Sequence, residues 1–234
     1  MLGNLFSLVP ESLLRESLPP KKLQNLWFTQ AFNGQIQRTK FITDCLSEIR
    51  FTHVIETGTF LGNSTIALAC LSQLEVHSIE IERNYYEFAR ARLQRDYPNS
   101  NVHLYHGSSD EILEEILNGM EPSENVIFLY LDAHWQNILP FQKEVSLLSS
   151  WGGTFLAVID DFKVSNDSGY GYDVYKDVEV SSKGITVAEK LKWFTLKVPS
   201  ESESGAKRGT GILIHEDLLK SLKPNLLARL QEIQ

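Results

Sequence analysis

The sequence predicts an α/β protein, a parallel sheet covered by helices on both faces, and three features carry that prediction. Short apolar runs alternate with helical segments across residues 54–159. A glycine-spaced turn, VIETGTFLGNST over residues 54–65, joins the first strand to the first helix. Acids recur where strands end, at Glu56, Glu80, Asp132 and Asp160, and that edge of an open α/β sheet is where ligands bind.

Each element has its own justification. Val54 and Ile55 open the first strand, and residues 65–74 form the first crossover helix. Residues 76–81 are a second strand, and the helix over 84–95 sets Tyr85, Phe88, Ala89 and Leu93 on one face until Pro98 and Asn99 stop it. A third strand covers 102–105, and residues 110–117 form a short helix with an acidic first turn. The wholly apolar strand at 126–131 fits the centre of a sheet. A helix at 140–148, the Gly152-Gly153 turn and an apolar fifth strand at 154–159 complete five βα repeats. Residues 165–175, rich in Gly, Asp, Ser and Tyr, supply no apolar face and read as a mobile active-site loop. A helix from about 187, strands at 193–198 and 211–215 paired as an antiparallel hairpin at the sheet edge, and an amphipathic helix from 216 close the chain.

Composition sets outer limits. With 234 residues and 42% hydrophobic content, the chain can bury a full core, divided into an N-terminal helical appendage at 1–50 and one domain at 51–234 that carries the 163–187 loop. A net charge of −8 gives no basic footprint for nucleic acid. Cys45 and Cys70 sit among apolar residues, which fits buried thiols in a reducing, cytoplasmic setting. The apolar N-terminus lacks a basic opening and meets Pro10 and Glu11 early, so it reads as a docking helix; no run approaches a membrane span.

The turn has the chemistry of a cofactor cradle. Gly58 and Gly62 let backbone approach a ligand, while Asn63, Ser64 or Thr65 can cap the following helix. Glu56 at the strand tip would repel a pyrophosphate, so a cationic ligand is favoured over a dinucleotide. Glu80 follows Gly58 by 22 positions, the interval at which an acid accepts hydrogen bonds from a ribose diol. Ile81 can pack on an adenine, and Gly107-Ser108-Ser109 can meet the base edge. Taken singly, each acid could be an ordinary helix cap or a solvated loop residue. Four on one rim define a site.

ETGTFLGNS and the following SIEIE resemble the class I S-adenosylmethionine-dependent methyltransferases, and the resemblance covers residues 55–215. Within that class the chain is similar to metal-dependent small-molecule O-methyltransferases of the catechol and macrocin types. The resemblance implies a Rossmann-like seven-stranded sheet of order 3-2-1-4-5-7-6 with strand 7 antiparallel. It also implies S-adenosylmethionine held by Glu56, Thr57, Gly58, Gly62, Asn63, Ser64, Glu80, Ile81, Gly107, Ser108, Ser109 and Asp132. YLDAHW and VIDDF match the positions where these families hold Mg²⁺ or a similar ion, namely Asp132, Asp160 and Asp161. Asp132 and His134 are the catalytic candidates, His134 as the base, with Lys163 the weaker choice. Here the chain departs from catechol-type enzymes, which place a lysine where this sequence has Trp135. FNGQIQR at 32–38 resembles an N-terminal segment of related methyltransferase-like proteins and is a candidate to cover the cofactor; the bland alternative is an ordinary helix with Gln35 and Arg38 exposed. The Tyr-rich GYGYDVY loop either closes over a small-molecule acceptor or packs on a second subunit of a homodimer. Two other readings stay open: a metal-independent methyltransferase of the same fold, and a non-catalytic adenosine-cofactor-binding module.

Overall fold

The computed structural model describes residues 29–133 and 139–233. A short 3-10 turn, Ala31–Gly34, leads into helix α1, Ile36–Glu48. The repeating units are strand β1, His53–Thr57, with helix α2, Asn63–Ser72, then β2, Glu75–Glu80, with α3, Arg83–Asp96. They continue with β3, Val102–His106, and α4, Ser109–Asn118, then β4, Val126–Leu131, α5, Phe141–Trp151, and β5, Thr154–Ile159. Beyond β5 come the two-residue strands β6, Val174–Tyr175, and β7, Val178–Glu179, then β8, Leu191–Leu196, and β9, Gly211–His215. Helices α6, Glu216–Ser221, and α7, Pro224–Leu227, precede β10, Leu230–Glu232.

The main sheet has eight strands in the order β3-β2-β1-β4-β5-β9-β8-β10. Strands β3, β2, β1, β4 and β5 are parallel, β9 runs antiparallel to β5, and β8 antiparallel to β9. The Rossmann-like order and the edge hairpin are therefore as the sequence predicts. An eighth strand is the correction: β10 pairs antiparallel with β8, so the segment after residue 216 is two short helices and a strand rather than one amphipathic helix. No helix forms near 187 either: residues 185–188 have no regular structure, and Ile185 and Val187 pack against the core as irregular chain.

The alternation of side chains across β4 builds two cores. Phe128 and Tyr130 face one side, with Phe41, Ile42 and Cys45 of α1 and Leu68 of α2. Ile127 and Leu129 face the other, with Leu113 and Leu117 of α4 and Phe141, Val145 and Leu148 of α5. Burial on both faces is why these strands read as continuous apolar runs. Helix α1 is integral to the first core, buried as fully as the helices of the repeating units. Cys45 and Cys70 are free thiols, Cys45 buried. Among the described residues no helix is long and apolar enough to cross a membrane.

Candidate active site

The carboxyl ends of the parallel strands open into a cleft of about 260 Å³. Gly58, Glu80, Ile81, Gly107, Ser108, Ser109, Asp132 and Asp161 of the predicted set line it. Glu56, Thr57, Gly62, Asn63, Ser64 and Asp160 lie outside that lining and support it.

The glycine turn works through its own backbone. Gly58 has φ +87°, and a Cβ there would lie 2.3 Å from the carbonyl oxygen of Asp132. The glycine thus lets β1 exit beside the end of β4. Gly58 and Thr59 donate to the Ile79 carbonyl at 2.9 and 3.1 Å, which ties the turn to the end of β2. Gly62, at φ +77°, is itself the N-cap of α2. The expected side-chain cap is absent, because the three candidates hold other groups. Asn63 Oδ1 accepts from Arg92 at 2.8 Å, Ser64 Oγ accepts from the Phe32 amide at 3.1 Å, and Thr65 Oγ1 donates to Glu56 at 2.5 Å.

Glu56 has a different place from the one its charge suggests. It is fully buried, and its Oε2 accepts from Thr65 Oγ1 and, at 2.6 Å, from Ser78 Oγ. Its Oε1 has no hydrogen-bond partner among the described residues. Burial pushes the carboxyl up to about 7, against the pull of the two hydroxyls. The side chain fastens β1 to β2 and α2 and acts on the cleft from beneath it.

Glu80 stands at the tip of β2, in the cleft wall. Oε2 accepts from the Phe60 amide at 2.7 Å and Oε1 from the Glu82 amide at 2.8 Å. Burial raises its pKa while these amides lower it. Phe60 has φ 48° and meets Tyr85 edge-on at 4.6 Å. The two rings, missed in the sequence, form an apolar wall next to Glu80.

The rim around Asp132 holds more cations than expected. Asp160 is buried and forms an ion pair with Arg38, accepts from Tyr130 Oη, and accepts from Asn33 Nδ2 at 2.9 Å. Arg38 is itself buried; it donates to Thr210 Oγ1 at 2.8 Å and to the carbonyls of Arg208 and Gly209 at 2.8 and 3.0 Å. Gln35, also buried, accepts from the Arg208 amide at 2.5 Å and donates to its carbonyl at 2.9 Å. The FNGQIQR segment is thus inside the site, and the picture of Gln35 and Arg38 exposed on a helix is overturned. Arg208 in turn pairs with both Asp161 and Asp173. Asn33, Phe60 and Asp161 line the cleft with φ between 48° and 61°, so non-glycine strain gathers at this rim.

Asp132 donates its amide to the Thr57 carbonyl at 2.9 Å. Burial and the neighbouring charges of Asp160 and Asp161 raise its carboxyl well above the usual range, with Arg38 opposing. His134 and Trp135 lie outside the described residues. Lys163 is engaged elsewhere: it pairs with Glu179 at 2.5 Å and sits 4.9 Å over the Tyr172 ring.

These positions do not suit a Mg²⁺ shell. Among the described residues, the one His, Cys, Asp or Glu trio with ligand atoms within 4.8 Å of one another is His53, Glu75 and His77. Asp132, Asp160 and Asp161 form no such trio, and guanidinium groups already meet Asp160 and Asp161. The three carboxylates do gather, since Asp160 and Asp161 act on Asp132, but arginines that nothing in the sequence places here pair with two of them.

A doubly covered α/β sheet with a glycine turn and a cleft at the carboxyl ends of its parallel strands is the architecture in which such folds bind their ligands. The chain belongs to the O-methyltransferase family, which it matches over residues 23–163. A caffeoyl-CoA O-methyltransferase of Zinnia elegans is 26% identical over 149 residues, 59% of this chain and 59% of that protein. The chain therefore spans less than two thirds of that relative's length. An O-methyltransferase from Bacillus cereus in complex with SAH aligns with a TM-score of 0.55 at 18% identity, over 77% of this chain and 81% of that one. An SAH-bound methyltransferase from Podospora anserina gives 0.55 at 12%, over 88% of each. Both likenesses are of fold.

Proposed function

We propose that this protein transfers a methyl group from S-adenosylmethionine to an oxygen of a small-molecule acceptor. The observation that carries this reading is Glu80. Two backbone amides fix its carboxylate at the cleft wall, and each oxygen retains a lone pair that a ribose hydroxyl can reach. In this reading Ile81 packs on the adenine face and Ser108 meets its edge, beside the apolar rings of Phe60 and Tyr85 that line the same cleft. The cofactor supplies an electrophilic methyl on a sulfonium; catalysis by the chain is then positioning and charge placement.

Asp132 is the proton acceptor in this reading. Its raised carboxyl pKa brings it towards the range in which a carboxylate can take a proton from an acceptor hydroxyl. Asn33, Asp161 and Asp173 bound the same cleft and would orient the acceptor's polar atoms. Arg38 and Arg208 supply the positive charge at the rim, so the reading requires no divalent ion.

Calorimetric titration tests it, with S-adenosylmethionine and NAD as ligands. S-adenosylmethionine should bind and NAD should not, and Glu80→Ala should weaken binding about 30-fold through loss of charged hydrogen bonds. Preference for NAD, or unchanged binding in Glu80→Ala, would sink the proposal. Methyl transfer to a catechol-like acceptor panel should survive chelator treatment; loss restored by Mg²⁺ would favour the metal-dependent route.

A further inference from the structure

At the opposite edge of the sheet, where the parallel strands begin, lies a second cluster of ligating side chains. The register sets His53 of β1 beside Glu75 of β2, and His77 of β2 beside His103 of β3. Residues two apart on a strand share a face, so all four side chains project from the same side of three adjacent strands. We propose that His53, Glu75 and His77 bind one transition-metal ion of the Zn²⁺ class, with His103 steadying Glu75.

The geometry is close to a metal shell. One ligand atom from each of the three lies within 4.8 Å of the others, and His77 Nε2 is 3.6 Å from Glu75 Oε1. Donors in a tetrahedral zinc shell stand about 3.4 Å apart, given bonds of about 2.0–2.1 Å. His103 Nε2 contacts Glu75 Oε1 at 2.9 Å from the next strand. The second, independent observation is His77 itself. Its side chain is 10% exposed, and Nε2 has no hydrogen-bond partner among the described residues. A buried ring nitrogen left without a partner calls for a ligand. Meanwhile Nδ1 lies 2.9 Å from Tyr105 Oη; when Nδ1–H donates there, Nε2 presents its lone pair, the outer-shell arrangement of metal-bound histidine.

The surroundings favour a cation. Glu115, Glu121 and Glu124 line the same groove, and so does Gly119 at the negative end of α4. Ring stacking alone, 5.4 Å between His77 and His103, would account for the histidines as packing but not for the orphaned nitrogen. Imidazole with one carboxylate suits Zn²⁺, Ni²⁺ or Cu²⁺ rather than Mg²⁺.

The test uses the full chain, stripped with chelator and titrated with Zn²⁺ alone against a chromophoric zinc indicator. One ion per chain should bind, and His77→Gln and the half-exposed His53→Asn should each weaken binding about 100-fold. Tyr105→Phe should weaken it about tenfold with the stoichiometry kept. Asp161→Asn should bind as the wild type does, which separates this site from the acidic rim. Co²⁺ should give tetrahedral d–d absorption in the wild type and lose it in His53→Asn. No bound ion, unchanged affinity in both histidine variants, or loss of the ion in Asp161→Asn would each overturn the proposal.

Discussion

Glu56 shows how one side chain can carry a pH response. Its carboxyl is held at about 7 in the folded chain, above its ordinary 4.5, chiefly by burial. The native state therefore binds the proton more tightly than the unfolded chain, and stability falls as pH rises between those two values. The loss at pH 8 amounts to at most about 3 kcal/mol. Glu56→Gln keeps an acceptor for Ser78 and Thr65 and removes the titration. Thermal melts across pH 5–8 should fall less steeply for the variant than for the wild type; parallel slopes would show that Glu56 stays charged in the fold. Arg38 poses the converse problem, because Arg38→Met leaves Asp160 buried without its guanidinium. That should cost about 3–5 kcal/mol, read as a lower denaturant midpoint with an unchanged slope.

Among the elements, the turn after β1 is the one whose backbone tolerates least. Gly58→Ala would place a methyl against the Asp132 carbonyl in a left-handed conformation, so a loss of about 2–4 kcal/mol is expected. Gly62→Ala, whose new Cβ would sit 3.6 Å from the Ala89 methyl, should cost about 1–2 kcal/mol, all from conformation. Equal midpoints for the two variants would argue against the collision. This turn, the four βα units and the fifth strand were legible in the sequence because they obey local rules: apolar period, glycine spacing, an acid at the strand tip. Strand β9 emerges at the predicted 211–215, since its apolar run is bounded by glycine and an acid. What was not legible depends on distant partners. Leu230-Gln231-Glu232 has no alternation to mark it and becomes a strand only because β8 offers an edge. Arg38 reads as a surface residue until Asp160, far along the chain, is brought beside it. The one local hint was Asn33-Gly34, a pair that favours left-handed backbone, and Phe32 and Asn33 do adopt it.

Across the whole molecule, the charge distribution sets apart this site from the metal-binding arrangement that its acids resemble. The chain carries a net charge of −8, yet the aspartates of the rim are met by two guanidinium groups drawn from opposite ends of the sequence. Arg38 arrives with α1 and Arg208 with the loop before β9, and the Gln35 side chain bonds both the amide and the carbonyl of Arg208. A guanidinium is permanently charged and forks across two acceptors, which lets Arg208 span Asp161 and Asp173 as a compact divalent ion would span two oxygens. Arg208→Gln should therefore remove the guanidinium that bridges Asp161 and Asp173. In that variant Mg²⁺ should raise the melting temperature, since an ion that binds only the folded state contributes about 2.7 kcal/mol at 100 times its Kd. The wild type under the same titration should not move. A Mg²⁺-dependent rise with Arg208 intact would mean that the arginine yields to the ion, and that the rim is a metal site after all; a flat response in both proteins would mean that Asp161 and Asp173 are held too far apart to share one.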